Sequence, residues 1–414
     1  MNIFVTLTWL IIFCSIFSYI NIKFLKLPNS IGLMLIAVMM SLGILVISKS
    51  YPDAEVFKTF VESFNFSDFL LEYMLCFLLF AGSLHVNIQQ LNEQRRPIIV
   101  FTMLGVLLAT FLIGYALYWL APVFGFDIPL VYCFLFGALI SPTDPIAVLG
   151  ILKEAKVPKN EEVIITGESL FNDGVGVVVF LTILHTLEEN HAASLSFQAI
   201  WETFLIEVGG GLLLGFLIGY AGNLLLKTID HYQTEVMITL AMVMGGYTLA
   251  KYLHTSGPLA MVVAGLYIGN VGRKTAMSDI TKQQVDTFWG LIDDLLNAFL
   301  FVLIGFAIVN IPNLFTYSYI GIATILVVLI IRYLSIIIPF KALNFKEVLN
   351  KNFPFVMTWG GLRGGISIAL ALSLPDFEQK PVIISITYIV VLFAVLVQGL
   401  SLGKLVGYLQ KKSN

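Results

Sequence analysis

The chain has 414 residues, 58% hydrophobic and only 12% charged, with a formal net charge of −3 and an isoelectric point near 6.0. Soluble domains carry roughly a quarter charged residues, so water is not the main solvent of this chain, and the near-neutral balance offers no basic surface for nucleic acid. The three cysteines, Cys14, Cys76 and Cys133, lie in apolar runs without metal-ligand spacing and read as small buried side chains.

Apolar runs of about 20 residues recur along the whole length, which is what a hydrocarbon core of ~30 Å demands of a helix. The runs are continuous rather than alternating, which excludes a membrane β-barrel. Thirteen helical spans are predicted, near 3–22, 31–48, 68–84, 97–120, 129–151, 162–186, 200–226, 234–252, 257–271, 287–309, 316–340, 353–374 and 382–408. The first has no basic leader and no small-residue cleavage site, so it reads as a retained span. With the N-terminus outside, seventeen Lys and Arg residues fall on the inner side and four on the outer. The positive-inside rule therefore predicts an outer N-terminus and a cytoplasmic C-terminus.

Three places break the rule that spans are apolar and unbroken. In the fifth span, Ser141-Pro142-Thr143-Asp144-Pro145 places two helix breakers, Pro142 and Pro145, around an acid. Backbone freed this way in lipid must be buried in protein or line a cavity. In the sixth, Glu168, Ser169, Asn172 and Asp173 share one stripe at helical spacing. Each carboxylate at mid-bilayer costs at least ~2.5 kcal/mol on insertion scales. In the twelfth, Gly360, Gly361, Gly364 and Gly365 surround Arg363, which cannot shed its proton and needs a partner. Arg332, in the eleventh span, reads as readily as snorkelling or packing as functional.

Spans five and twelve hold corresponding places if residues 1–195 form one six-helix repeat, 196–230 a linking span and 231–414 a second, inverted repeat. The broken span 129–151 and site span 162–186 then lie in the first repeat and the broken span 353–374 in the second. Interrupted helices at matching positions are the sequence signature of a transporter's midplane site.

Carboxylate, hydroxyl and freed carbonyl oxygens suit a small hard cation, and too few carboxylates converge for a divalent one. Burial disfavours the charged form of Asp173, so it can hold a proton or a cation but not both. Asp173 and Ser169, with a carbonyl near Thr143, are the expected ion ligands, and Asn172 supplies an amide beside them. Glu168 is expected to pair with Arg363 as a fixed scaffold. One carrier per cycle predicts electroneutral exchange. Asp144 is read as either a balance for unwound helix ends or a second proton site.

At these residues the chain resembles the monovalent cation–proton antiporters of the NhaP/NHE type. The matches are Ser141-Pro142-Thr143-Asp144-Pro145, Gly167-Glu168-Ser169 through Asn172-Asp173, and Gly361-Leu362-Arg363-Gly364. Phe288-Trp289 with Asn297 and Phe301, and Arg332 with Leu334-Ser335, are also similar. The resemblance implies an all-α NhaA-like fold of thirteen spans with broken helices five and twelve, and a homodimer in the cytoplasmic membrane. It further implies Na+ (or Li+) exchanged for protons, Na+ bound at Asp173, Ser169 and Thr143, and no cofactor. The chain lacks the cytoplasmic tail of the longer eukaryotic members and reads as a bacterial short form. Alternatives are K+/H+ exchange on the same scaffold and a cation channel. No sequence pattern of a hydrolytic enzyme is present, so a catalytic role is not expected.

Overall fold

The computed structural model describes residues 3–48, 66–144, 157–189, 197–311, 316–345 and 349–413, and among these every regular element is helical. The connection between the second and third spans and Pro145 both lie outside the described residues. The chain opens with α1 (Ile3–Ile20) and α2 (Asn29–Ser48). Next come α3 (Phe66–Leu84), α4 (Arg95–Leu120), α5 (Leu130–Ile140) and α6 (Lys159–Glu189). α7 (Phe197–Leu226), α8 (Tyr232–Tyr252) and α9 (Gly257–Tyr267) follow. The last group is α10 (Asp279–Ala307), α11 (Ser318–Ala342), α12 (Phe353–Trp359), α13 (Gly365–Leu372) and α14 (Lys380–Leu409).

Helices occur at every predicted span position, with α12 and α13 sharing the twelfth. Among the described residues, nine helices are long and apolar enough to cross a membrane. α10 starts eight residues before its predicted span. The Ser278 hydroxyl caps it by accepting from the Thr281 amide, and Asp279 lies in the first turn, where the positive end of the helix favours an acid. Capping thus extends the helix through the polar stretch ahead of its apolar run.

Burial shows where the functional centre lies. The apolar window of α6 is 72% buried, against 28% for α1 and 33% for α7. α1 and α7 instead present Trp9, Ile11, Leu213 and Phe216 outward, the face an apolar solvent would cover. Large amphipathic side chains pin the core with their polar ends satisfied. Trp289 of α10 packs against Phe80 of α3 at 4.7 Å between ring centres and donates its indole N–H to Thr239 of α8 at 3.0 Å. Tyr388 of α14 donates its hydroxyl to the Ile304 carbonyl of α10 at 2.9 Å. Cys14, Cys76 and Cys133 are buried and free.

Candidate functional site where two unwound segments meet

α5 stops at Ile140, and Pro142 through Asp144 run without helical structure. α12 stops at Trp359, and Gly361 through Gly364 are likewise unwound before α13 begins. The two unwound segments meet: the Asp144 amide donates to the Leu362 carbonyl at 2.8 Å. Each break also supplies the charge that the other's helix end lacks. Arg363 donates from Nη1 to the Ser141 carbonyl at 2.6 Å and to the Pro142 carbonyl at 2.9 Å, at the negative end of α5. Asp144 lies against Gly364, the residue that caps the N-terminus of α13. A Cβ on Gly364 would sit 3.0 Å from the Asp144 Oδ2 atom, so a larger residue there would press on that carboxylate. Asp144 thus lies both at the N-terminus of α13 and, as described below, on the cavity of Asp173, positions compatible with either role read from the sequence.

The scaffold pair differs from the sequence expectation. Glu168, 1% exposed, pairs with Arg332 of α11 and not with Arg363. Arg332 grips it in a two-pronged fork, Nη1 to Oε1 at 2.9 Å and Nη2 to Oε2 at 3.1 Å. The physical reason is that Arg363 is already engaged by carbonyls freed at the fifth-span break. Arg332 is not near a helix end, because α11 runs ten residues beyond it, and it is 3% exposed. Gly361 makes room for the fork: a Cβ there would meet Arg332 Nε at 3.0 Å and Thr143 Cγ2 at 3.2 Å.

Asn172 ties α6 to the fifth-span break. Its amide nitrogen donates to Thr143 Oγ1 at 2.7 Å and to Glu168 Oε1 at 2.9 Å, while its oxygen accepts from the Thr143 amide at 3.2 Å. All the polar atoms of Asn172 are therefore occupied by protein. Ser169 and Thr143 place their hydroxyl oxygens 3.1 Å apart, and Thr143 Oγ1 also lies 3.4 Å from Glu168 Oε2. The structure thus gathers Thr143, Glu168, Ser169, Asn172 and Arg332 into one network, with Arg363 joined through the fifth-span backbone.

Asp173 stands apart. It is buried, and no donor among the described residues hydrogen-bonds its carboxylate. It lines a cavity of about 70 Å³ together with Pro142, Asp144, Asn297, Gly364 and Ser367. A single water needs only ~10–15 Å³ by this measure, so the space is large enough for a cation with a few waters. Two carboxylates facing one cavity repel, and a bound cation or proton relieves that repulsion. Asn297 and Ser367 were not read as site residues from the sequence. Asn297 enters there only as one position of the family resemblance, without a role, and a lone Ser367 hydroxyl in an apolar helix gives little signal.

A bundle whose two unwound segments cross beside a buried carboxylate and a cavity is the architecture of a secondary ion transporter. The transmembrane sodium/hydrogen exchanger family matches residues 10–407, and the chain belongs to that family. It is 47% identical over 400 residues to the Na(+)/H(+) antiporter NhaP of Pseudomonas aeruginosa, covering 95% of this chain and 93% of that protein. It is 35% identical over 389 residues to the Na(+)/H(+) antiporter NhaH of Halobacillus dabanensis, covering 93% and 92% respectively. The fold is similar to the solved structure of the sodium proton antiporter MjNhaP1 from Methanocaldococcus jannaschii at pH 8, with a TM-score of 0.77. The identity there is 19%, over 98% of this chain and 99% of that one.

Proposed function

We propose that this protein exchanges Na+ for H+ across the cytoplasmic membrane, with Asp173 as the group for which cation and proton compete. The observation that carries the reading is the contrast on α6. Glu168 is consumed by Arg332 and Asn172, while Asp173 faces a cavity without a protein donor among the described residues. A carboxylate left in that state binds whatever positive charge the cavity admits, and low dielectric makes the ionised, empty form unfavourable. Binding one proton or one cation per crossing yields one-for-one, electroneutral exchange.

In this reading the cation is held by Asp173 with oxygens of Ser169 and the Thr143 main chain. Glu168 and Arg332 form the fixed pair, and Arg363 and Asp144 hold the crossing together. The charge bias of the loops supports an outer N-terminus and a cytoplasmic C-terminus. The matching positions of the two unwound segments support two inverted six-helix repeats. A homodimer belongs to the same proposal and is checked by the mass of the detergent-solubilised protein.

The test is alkalinisation of acid-loaded everted vesicles on addition of Na+, Li+ or K+. Na+ and Li+ are expected to drive proton release from the wild-type protein, and Asp173→Asn is expected to abolish it. Exchange by Asp173→Asn at the wild-type rate would remove Asp173 as carrier. A response to K+ alone would assign the scaffold to K+/H+ exchange. A rate that follows an imposed membrane potential would refute one-for-one stoichiometry.

A further inference from the structure

The cavity in front of Asp173 holds a second set of oxygens that the exchange reading above does not use. Asn297 of α10 is 6% exposed and Ser367 of α13 is 1% exposed; both line the cavity, and neither Asn297 Oδ1 nor Ser367 Oγ has a hydrogen-bond partner among the described residues. Buried polar atoms without partners are rare, and each calls for a missing water or ion.

The orientation of the Asn297 amide follows from its chemistry. Its nitrogen donates to the Asp293 main-chain carbonyl at 2.8 Å and to Asp293 Oδ1 at 3.0 Å, which uses both of its hydrogens. Turning the amide over would set its oxygen against a carbonyl and a carboxylate, three acceptors with no proton among them. Asp293 therefore fixes the nitrogen, and the oxygen is all that Asn297 has left to offer. An uncharged amide oxygen held in place is a good ligand for a small hard cation and a poor one for a proton.

We propose that Asn297 is a specificity-determining residue that supplies Oδ1 to the cation, or to a water on it, in the cavity of Asp173. Asp293 acts as its positioning residue, and the Ser367 hydroxyl is a second neutral oxygen from α13. The division of labour is chemical. Asp173 accepts either a proton or a cation, whereas Asn297 favours only the cation and so raises the cation's side of the competition. This inference rests on Asp173 being the carrier.

The experiment measures Na+- and Li+-driven exchange in everted vesicles for wild type, Asn297→Ala, Asp293→Ala, their double variant and Asp173→Asn. Asn297→Ala is expected to raise the apparent KM for Na+ about ten-fold, the scale of roughly 1.4 kcal/mol for one neutral ligand, with the maximal rate within about two-fold. Asp293→Ala is expected to raise KM about three-fold. Because Asp293 acts through Asn297, the double variant is expected to match Asn297→Ala alone, a result that independent structural damage does not give. Asn297→Ser, which restores an oxygen, is expected to recover part of the affinity. An unchanged KM in Asn297→Ala, or a fall in maximal rate alone, overturns the proposal. If Asn297→Ala does not fold, Asp293→Ala carries the test, and an unchanged KM there overturns it equally. An active Asp173→Asn would sink the carrier assignment itself. An inactive Asp173→Asn beside an Asn297→Ala with wild-type KM would sink only this inference.

Discussion

Glu168 and Asp173 lie five residues apart on α6, both buried, yet their surroundings are opposite. Glu168 accepts from two nitrogens of Arg332 and from Asn172. Asp173 faces a cavity and accepts from no donor among the described residues. One carboxylate has its charge balanced by the fold, and the other has no hydrogen-bond donor among the described residues. The difference teaches that acidity at mid-membrane is not in itself a mark of the carrier. In the proposed exchange, what marks it is the lack of a resident counter-charge among the described residues.

Four substitutions break or sharpen this contrast, ranked by their effect on stability. Arg332→Ala leaves Glu168 buried without its partner and is expected to destabilise by about 3–5 kcal/mol, the cost of orphaning one member of a buried pair. Adding Glu168→Gln removes the orphaned charge and is expected to restore much of the loss, read as the melting temperature in detergent. Arg363→Ala removes a cation from the Ser141 and Pro142 carbonyls and is expected to cost about 1.5–3 kcal/mol in all, the scale of one charged hydrogen bond, since both contacts come from the single Nη1 atom. Here Glu168→Gln is expected to give no rescue. Rescue of Arg363→Ala but not of Arg332→Ala would reverse the assignment of the pair. Asn172→Ala unties α6 from Thr143 and is expected to cost about 1–3 kcal/mol by leaving the Thr143 amide unpaired. Residual exchange should remain in that variant, since Asn172 spends its polar atoms on protein. Asp173→Asn is expected to change stability least, within about 1 kcal/mol, because no hydrogen bond is lost. It should nonetheless abolish exchange completely. A large fall in melting temperature for Asp173→Asn would show that the carboxylate is held as firmly as Glu168.

Much of this was legible from the chain alone. Apolar run lengths place the helices, and the prolines around Asp144 and the glycines around Arg363 mark both unwound segments. The spacing of Glu168, Ser169, Asn172 and Asp173 predicts a shared stripe. What spacing along one helix does not carry is the choice of partner across helices. Arg363 and Arg332 were equally available to Glu168 by charge, and the deciding fact is that freed carbonyls at Ser141 and Pro142 already engage Arg363. That competition between backbone and carboxylate exists only once the breaks have crossed. The sequence places Arg332 nearer the end of its span than Arg363, and only the extent of α11, ten residues beyond it, sets it deep in the bundle. Asn297 and Ser367 were harder still. A single amide or hydroxyl in an apolar helix usually bonds its own backbone, and only its missing partner sets it apart.

The crossing has a mechanical consequence. The Asp144 amide, the Arg363 guanidinium, the Asn172 amide and the Arg332 fork together rivet α5, α6, α11 and the α12–α13 pair at one point. Elements joined at a single buried knot of directional bonds cannot slide past one another without breaking several of them at once. In the proposed exchange, opening the cavity of Asp173 to opposite faces has to swing these helices as one block against the rest of the bundle. On that proposal the rivet is the pivot, and the Asp173 carboxylate lies beside it.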